Sequence, residues 1–311
     1  MKRLFTFSLL LCLAMLLSPK HASAQLELGF QAGATNYQGD LVAEPTQFKG
    51  TQYNVGIFGR YNFLRHYAAR LGVNYGKMVG DDLFYPESSD RIARNLDFES
   101  YIFDATFMLE VSISSFFNKD FDMVYRRKRN GSKKLDFYLF GGVGLFMFNP
   151  QTTYDGEVYD LHDYETELNK EDYALMQINV PVGVGITFPL KNGWKIGIES
   201  SYRITFTDYL DDVSTVYSAD AGTETVDGYL SDPGRGQYAY SVGTGYLAGG
   251  RPAGMQRGNP DNNDGYLFTN ITLIKDVSGL FRYKGYKSAR HKKHKRGKKY
   301  KPGKGYRKLR R

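Results

Sequence analysis

Residues 53–75 read YNVGIFGRYNFLRHYAARLGVNY. Tyr53, Val55, Ile57, Gly59, Tyr61 and Phe63 fall on one face of an extended chain, and Asn54, Gly56, Phe58, Arg60 and Asn62 on the other. After Leu64-Arg65-His66 the pattern resumes, with Tyr67, Ala69, Leu71, Val73 and Tyr75 set against Ala68, Arg70, Gly72 and Asn74. A period of two is the period of a strand, because successive side chains point to opposite faces. Two such runs around a short break predict a β-hairpin. One face is apolar and aromatic. The other is small and polar, with one arginine per strand. In a membrane barrel the apolar face meets lipid and the small polar face fills the interior. The alternative is a soluble, lipocalin-like eight-stranded barrel with an apolar interior, because alternation alone does not say which face is inside.

The same alternation recurs over residues 26–34, 101–113, 178–188 and 194–206. Residues 135–148, LDFYLFGGVGLFMF, look extended but are apolar on both faces, and 266–275 form a weaker last strand. Eight strands result. Most reach the roughly 9–11 residues that a tilted strand needs to cross a bilayer. The interior-facing Arg60, Arg70 and Arg203 find opposite charges in Asp104, Glu110 and Glu199, which predicts a plugged interior and not an open pore. Tyr53, Tyr61, Tyr67, Tyr75, Tyr101, Trp194 and Tyr202 fall near strand ends, where aromatic girdles belong. Pro181 cannot donate to a strand ladder, so a bulge is expected there.

The fold class is therefore all-β: an eight-stranded antiparallel transmembrane β-barrel of the outer membrane, with a disordered basic C-terminal tail. Residues 1–24 carry Lys2 and Arg3, an apolar run from Leu4 to Leu17 and the small-x-small Ala22-Ser23-Ala24, the pattern of an export signal. Residues 25–281 form the barrel and 282–311 the tail. The chain has a formal net charge of +8. The tail holds sixteen lysines and arginines and no acid, so the barrel itself is acidic. Cys12 is the single cysteine and lies in the signal, which leaves the exported chain without disulfides, thiolate metal sites or a thiol nucleophile. Connections near 37–52, 80–95, 149–172 and 208–263 are long and net acidic, whereas those at 64–66 and 191–193 are short. The fourth connection, about 114–134, breaks the alternation by being long, and it is basic through Arg126-Arg127-Lys128-Arg129. Short turns and both chain ends belong to the periplasmic side of such a barrel. The basic run and the tail residues Lys292, Lys293, Lys295, Arg296, Lys298 and Lys299 would thus share one surface, fit to attract an acidic partner. Nucleic acid is not the expected target, because an exported chain meets little of it.

Chemical sites are sparse. Asp208, Asp211 and Asp212 stand just past a strand end, where three carboxylates could hold calcium or run hydrolysis, but no complete ligand loop follows and a capped loop start is the better reading. Asp261-Asn262-Asn263-Asp264-Gly265 resembles part of a calcium loop without its distal glutamate. His162, between Asp160 and Asp163, suggests a rim-site protease lacking its second half. No cofactor, metal or catalytic set is expected.

Five stretches together carry a resemblance: ELGFQAGATNYQGDL (27–41), RNLDFES (94–100), LFGGVGLFMFNP (139–150), FTDYLDDVSTVY (206–217) and QRGNPDNNDGYLF (256–268). In this order they resemble the PorG-type outer-membrane β-barrel of the type IX protein secretion system, over about residues 27–275. The resemblance implies a non-enzymatic translocon component in the outer membrane of a Gram-negative-type envelope. Its implied partners are outer-membrane lipid and a periplasmic ring of a lipoprotein and a soluble protein. It also marks Asp208, Asp211, Asp212, Arg257, Asn259 and Asp264 as motif residues of the loops. Two features depart from the pattern: the chain runs on for more than thirty residues past the last strand, and the loop at 208–263 is long and rich in glycine and tyrosine. Two alternatives remain: a structural barrel tethering the membrane to an anionic envelope polymer, and a rim-site envelope hydrolase built on Asp208, Asp211, Asp212 and His162.

Overall fold

Eight strands pair in a ring. The structure is a computed structural model describing residues 25–42, 48–64, 66–86, 91–92, 94–117, 135–168, 170, 172–234 and 253–280. The ring consists of β1 (Gln25–Gln38), β2 (Gln52–Asn62), β3 (Tyr67–Asp81), β4 (Asp97–Ser112), β5 (Asp136–Met147), β8 (Met176–Pro189), β9 (Trp194–Thr205) and β10 (Gly265–Asp276). Their order is β3-β2-β1-β10-β9-β8-β5-β4, and β4 pairs back onto β3, so no barrel strand is left with a free edge. Every pairing is antiparallel, and the strands are 11 to 16 residues long. No helix among the described residues is long and apolar enough to cross a membrane; the strands make the crossing.

The facing decides between the two barrels. Leu28, Ile57, Leu71, Phe107, Val143, Ile198 and Ile271 are exposed on the outside, while Glu27, Arg60, Arg70, Glu110 and Glu199 are buried inside. The soluble alternative requires the reverse. With an apolar exterior and an ion-paired interior, the chain is an outer-membrane β-barrel. Tyr61, Tyr67 and Trp194 ring one rim, and Tyr53, Tyr75, Tyr101 and Tyr202 ring the other, all exposed.

The expected interior ion pairs form. Glu110 receives Arg60 Nε at 2.7 Å and Arg70 Nε at 2.9 Å. Glu199 receives Arg70 Nη1 at 2.8 Å and Arg60 Nη2 at 3.4 Å, and Arg203 meets Asp104 at 3.1 Å. Glu27 and Lys195 add a further pair. The two-sided apolar run of β5 is explained by what its inner face touches. Phe140 lies 4.8 Å under the Arg70 guanidinium and Tyr138 lies 5.2 Å from that of Arg60, while Phe137, Leu139 and Leu145 face outward.

The bulge expected at Pro181 is absent. Asp136↔Thr187 and Met147↔Met176 belong to one unbroken register, so no extra residue is inserted. The ladder to β5 skips only Gly142↔Pro181 and Val143↔Val180, whereas the β9 side keeps Pro181↔Arg203. The β8–β9 turn uses Asn192 (φ 58°) and Gly193 (φ 77°), left-handed positions that Asn and Gly tolerate.

The 149–172 connection is not a plain loop. It contains β6 (Pro150–Tyr154) and β7 (Glu157–Asp160), a hairpin that continues β4 through Ser100↔Pro150 beyond the rim. Two short α-helices, α1 (Ile113–Phe117) after β4 and α2 (Val226–Ser231) in the last long connection, and 3-10 turns at Asp82–Phe84, Leu161–Asp163 and Lys191–Gly193 complete the described elements. Residues 1–24, Arg126–Arg129 and 282–311 lie outside the described residues, and with them the expected signal, the basic run and the tail.

Candidate functional site

The rim that carries the long connections, here the outer rim, is closed by those connections. Tyr37, Met78, Phe98, Ile102, Phe146 and Phe268 point inward at the outer ends of the strands. Leu41, Leu96, Leu161, Leu210, Val213 and Leu230 of the connections pack onto them as one buried cluster. Each large apolar side chain so covered contributes on the order of 1.5–3 kcal/mol. The cap is thus a core of its own stacked on the barrel.

Two buried arginines and several carboxylates frame it. Arg94 holds Asp82 in a two-point grip, Nε to Oδ2 at 2.7 Å and Nη2 to Oδ1 at 2.6 Å, and donates to the carbonyls of Arg257 and Asp40. Arg257, 3 % exposed, donates to Glu167 Oε1 at 3.2 Å and to the carbonyls of Asp212, Leu230 and Ser231. Glu167 also accepts the Ser214 and Thr215 amides and the Thr215 hydroxyl. Asp212 accepts from Tyr173 at 2.7 Å and from Thr166, and pairs with Lys170. The Asn259 amide donates to Asp40 Oδ2 at 2.6 Å.

Beneath this frame, Asp211 and Asp264 converge on a single hydroxyl. Tyr37 Oη lies 2.5 Å from Asp211 Oδ2 and 3.2 Å from Asp264 Oδ1, while the Val213 and Leu210 amides take the other two oxygens. Burial pushes the Asp211 carboxyl well up, and Asp40 adds to it. Burial does the same at Asp264, with Asp211 and Asp208 adding. Asp212 is raised by burial, against the pull of Lys170 and Arg257. Burial raises Asp208 to about 7.

All six motif residues therefore meet in one cap: Asp208, Asp211, Asp212, Arg257, Asn259 and Asp264. Their arrangement is that of a frame. Most of their polar atoms are consumed by backbone amides, carbonyls and each other, and among the described residues no group of three His, Asp or Glu stands close enough for a cation. His162 pairs with Asp163 and Asp172, at 3.2 and 3.0 Å, and not with Asp208, Asp211 or Asp212. Asp40, Asp82, Arg94, Glu167 and Lys170 also belong to the frame, though no motif marks them as site residues. Asp40 and Arg94 do sit inside two of the five quoted stretches, whereas nothing in the sequence around Glu167 marks it.

A family model described as "Domain of unknown function (DUF6089)" matches residues 2–221. No curated protein matches the chain. Among solved structures, the chain is similar to the neisserial surface protein A (9% identity, TM-score 0.36), covering 81% of this chain and 98% of that one. It is similar to Ail of Yersinia pestis, solved with the heparin analogue sucrose octasulfate (9%, TM-score 0.33, 81% and 96%). A third is the N-terminal β-barrel domain of OprF from Pseudomonas aeruginosa (8%, TM-score 0.30, 81% and 98%).

Proposed function

This chain belongs to the family described as domain of unknown function DUF6089, and from that premise we propose that it is a non-enzymatic outer-membrane anchor for a periplasmic assembly, as the resemblance to the type IX secretion barrel implies. The observation that carries this reading is the filled interior. Arg60, Arg70, Glu110 and Glu199 interlock across the barrel, and the apolar cap seals the outer rim. A barrel crossed by ion pairs and covered at one rim acts through its surfaces.

On the opposite rim lie Gln25 and Asp276, at the two ends of the barrel chain, and Ser112 and Asp136, between which the sequence carries Arg126-Arg127-Lys128-Arg129. A basic surface there attracts an acidic partner, with a strength that falls as salt rises because exposed charges are screened within about 8–10 Å. The tail residues Lys292, Lys293, Lys295, Arg296, Lys298 and Lys299 would add avidity to contacts made by the barrel turns. The partners in this reading are a lipoprotein and a soluble ring protein of the periplasm.

The test is a crosslinking pull-down from intact envelopes, with the full chain and with the chain truncated after Tyr283. The full chain should bring down periplasmic proteins, and the truncated chain fewer, most clearly at moderate salt. Equal recovery of the same partners with secretion unchanged sinks the role of the tail. Recovery of cell-wall polymer in place of protein sinks the secretion reading.

A further inference from the structure

Where β8 and β9 part at the outer rim, their flanking residues diverge and leave a notch. Asn179↔Thr205 is the last pair of that ladder. Beyond it the chain entering β8 and the chain leaving β9 enclose a cleft of about 500 Å³, lined by Asp172, Tyr173, Gln177, Phe206, Asp208 and Tyr209. Tyr173 and Tyr209 form one wall as a parallel stack, ring centroids 4.8 Å apart at 6°. Asp208 is only 8 % exposed, and its Oδ2, itself shut off from solvent, has no hydrogen-bond partner among the described residues. An unpaired buried carboxylate oxygen is costly and calls for an occupant of opposite charge or a proton.

The occupant's chemistry follows from the walls. A chelated metal ion is disfavoured, since among the described residues no third ligand accompanies Asp208 and Asp172, and Asp172 already meets His162 Nε2 at 3.0 Å. A single buried carboxylate beside aromatic rings suits a single positive charge that donates N–H bonds, such as an ammonium. The lower lip of the cleft is apolar: Ile178 and Phe206, 58 % and 56 % exposed, continue the lipid-facing surface of the barrel. The occupant therefore bears a cation above and hydrocarbon below. We propose that this notch binds the ammonium headgroup of a membrane amphiphile, with Asp208 as its anionic contact.

Among the described residues, the charges around Asp208 are negative or neutral. Asp40 and Glu167 face it from the first and third long connections, Asp211 and Asp264 from the cap, and Asp172 from across the cleft, while Ser214 hydrogen-bonds it. Burial places its carboxyl at about 7, so the anion that holds an ammonium is gained between about pH 6 and 8. Retention of the lipid should strengthen over that interval.

The experiment uses the full chain in mixed micelles holding equal amounts of phosphatidylethanolamine and phosphatidylglycerol, read by native mass spectrometry. The wild type should keep the ethanolamine lipid in preference, and Asp208→Asn should keep at least tenfold less. Dodecylammonium should displace that lipid, and dodecanol should not. Ethylammonium at the same concentration should also fail; if it competes equally, the site takes a soluble cation and the lipid assignment is wrong. Asp208→Asn keeps the shape and removes repulsion, so it should retain the heat-dependent gel shift of a folded barrel and melt no lower than wild type. Should that variant not fold, the wild-type Asp208 carboxyl carbon resonance decides: it should move on adding dodecylammonium, and an unmoved signal overturns the proposal. Equal lipid retention by a folded Asp208→Asn overturns it as well.

Discussion

At the scale of single residues, Glu199 is the centre of the barrel's interior. It accepts Arg70 in two bonds of 2.8 Å, Arg60 at 3.4 Å and the Tyr138 hydroxyl. Removing it leaves two guanidiniums competing for Glu110 and Glu27 in a medium that solvates neither. Glu199→Ala is expected to cost about 3–5 kcal/mol, measured by urea unfolding of the barrel in lipid. Glu199→Gln should cost less, because it keeps one acceptor oxygen. This network was legible in sequence because an arginine on a small-residue face must find a carboxylate on the same face. The cap was not legible in that way, since Asp82, Glu167 and Lys170 come from connections without periodicity. Their meeting depends on how the loops fold over the rim. The cap also has a pH signature. Asp208, Asp211 and Asp264 are all raised above their unfolded values, near 4. The folded cap thus holds more protons than the unfolded chain, and its stability falls as pH rises from about 4 toward about 7. Near-ultraviolet circular dichroism should show the cap melting at a higher temperature at pH 5 than at pH 8. Asp211→Asn should flatten that difference.

At the scale of elements, the barrel strands were legible and the outer hairpin was not. Each barrel strand has one face in lipid and one in a packed interior, so its alternation is imposed twice. β6 and β7 have five and four residues, too few to display a period. What marks them is the turn, Asp155-Gly156, with φ of 51° and 81°, the left-handed pair that a two-residue hairpin demands. That signal stands in the sequence inside a stretch that the alternation alone leaves as a connection. Pro181 misled in the other direction. A proline in a central strand suggests a bulge, but the sheet keeps its register and drops two rungs of the ladder toward β5. The hairpin is expected to be separable from the barrel, because among the described residues only the pairs Glu99↔Gln151 and Ser100↔Pro150 and the Thr152 hydroxyl on Asp97 join it to β4. Gly156→Val forces a β-branched side chain into φ 81°, at a cost of about 1–3 kcal/mol. Limited proteolysis should then cut near residues 150–160 faster, while the heat-dependent gel shift of the barrel stays unchanged. Loss of that shift would mean that hairpin and barrel fold as one unit.

At the scale of the molecule, the two rims differ in what closes them and in charge. The outer rim carries the acidic connections and the apolar cap, and the opposite rim carries short turns and both ends of the barrel chain. A barrel sealed by a capped rim and an interior of interlocked ion pairs should not conduct. In planar bilayers the wild type is expected to give no sustained open level at 100 mV, whereas Glu110→Ala with Arg70→Ala, which removes a pair and its bulk together, should raise the frequency of openings. Orientation is the other whole-molecule property, and it decides which surface any partner meets. Glu157 is exposed on β7 beyond the outer rim, and Lys191 is exposed in the β8–β9 turn at the other end. The acidic long connections belong outside the cell if the basic segments are to meet a periplasmic partner. A cysteine at Glu157 should therefore react with a membrane-impermeant maleimide on intact cells, and one at Lys191 only after the outer membrane is opened. Cys12 is the single cysteine and lies in the expected signal, whose removal would leave no background thiol. If Lys191→Cys labels on intact cells and Glu157→Cys does not, the barrel is inverted. The acidic cap would then face the periplasm, and the anchoring reading would lose its physical basis, since the basic segments would point away from every periplasmic partner.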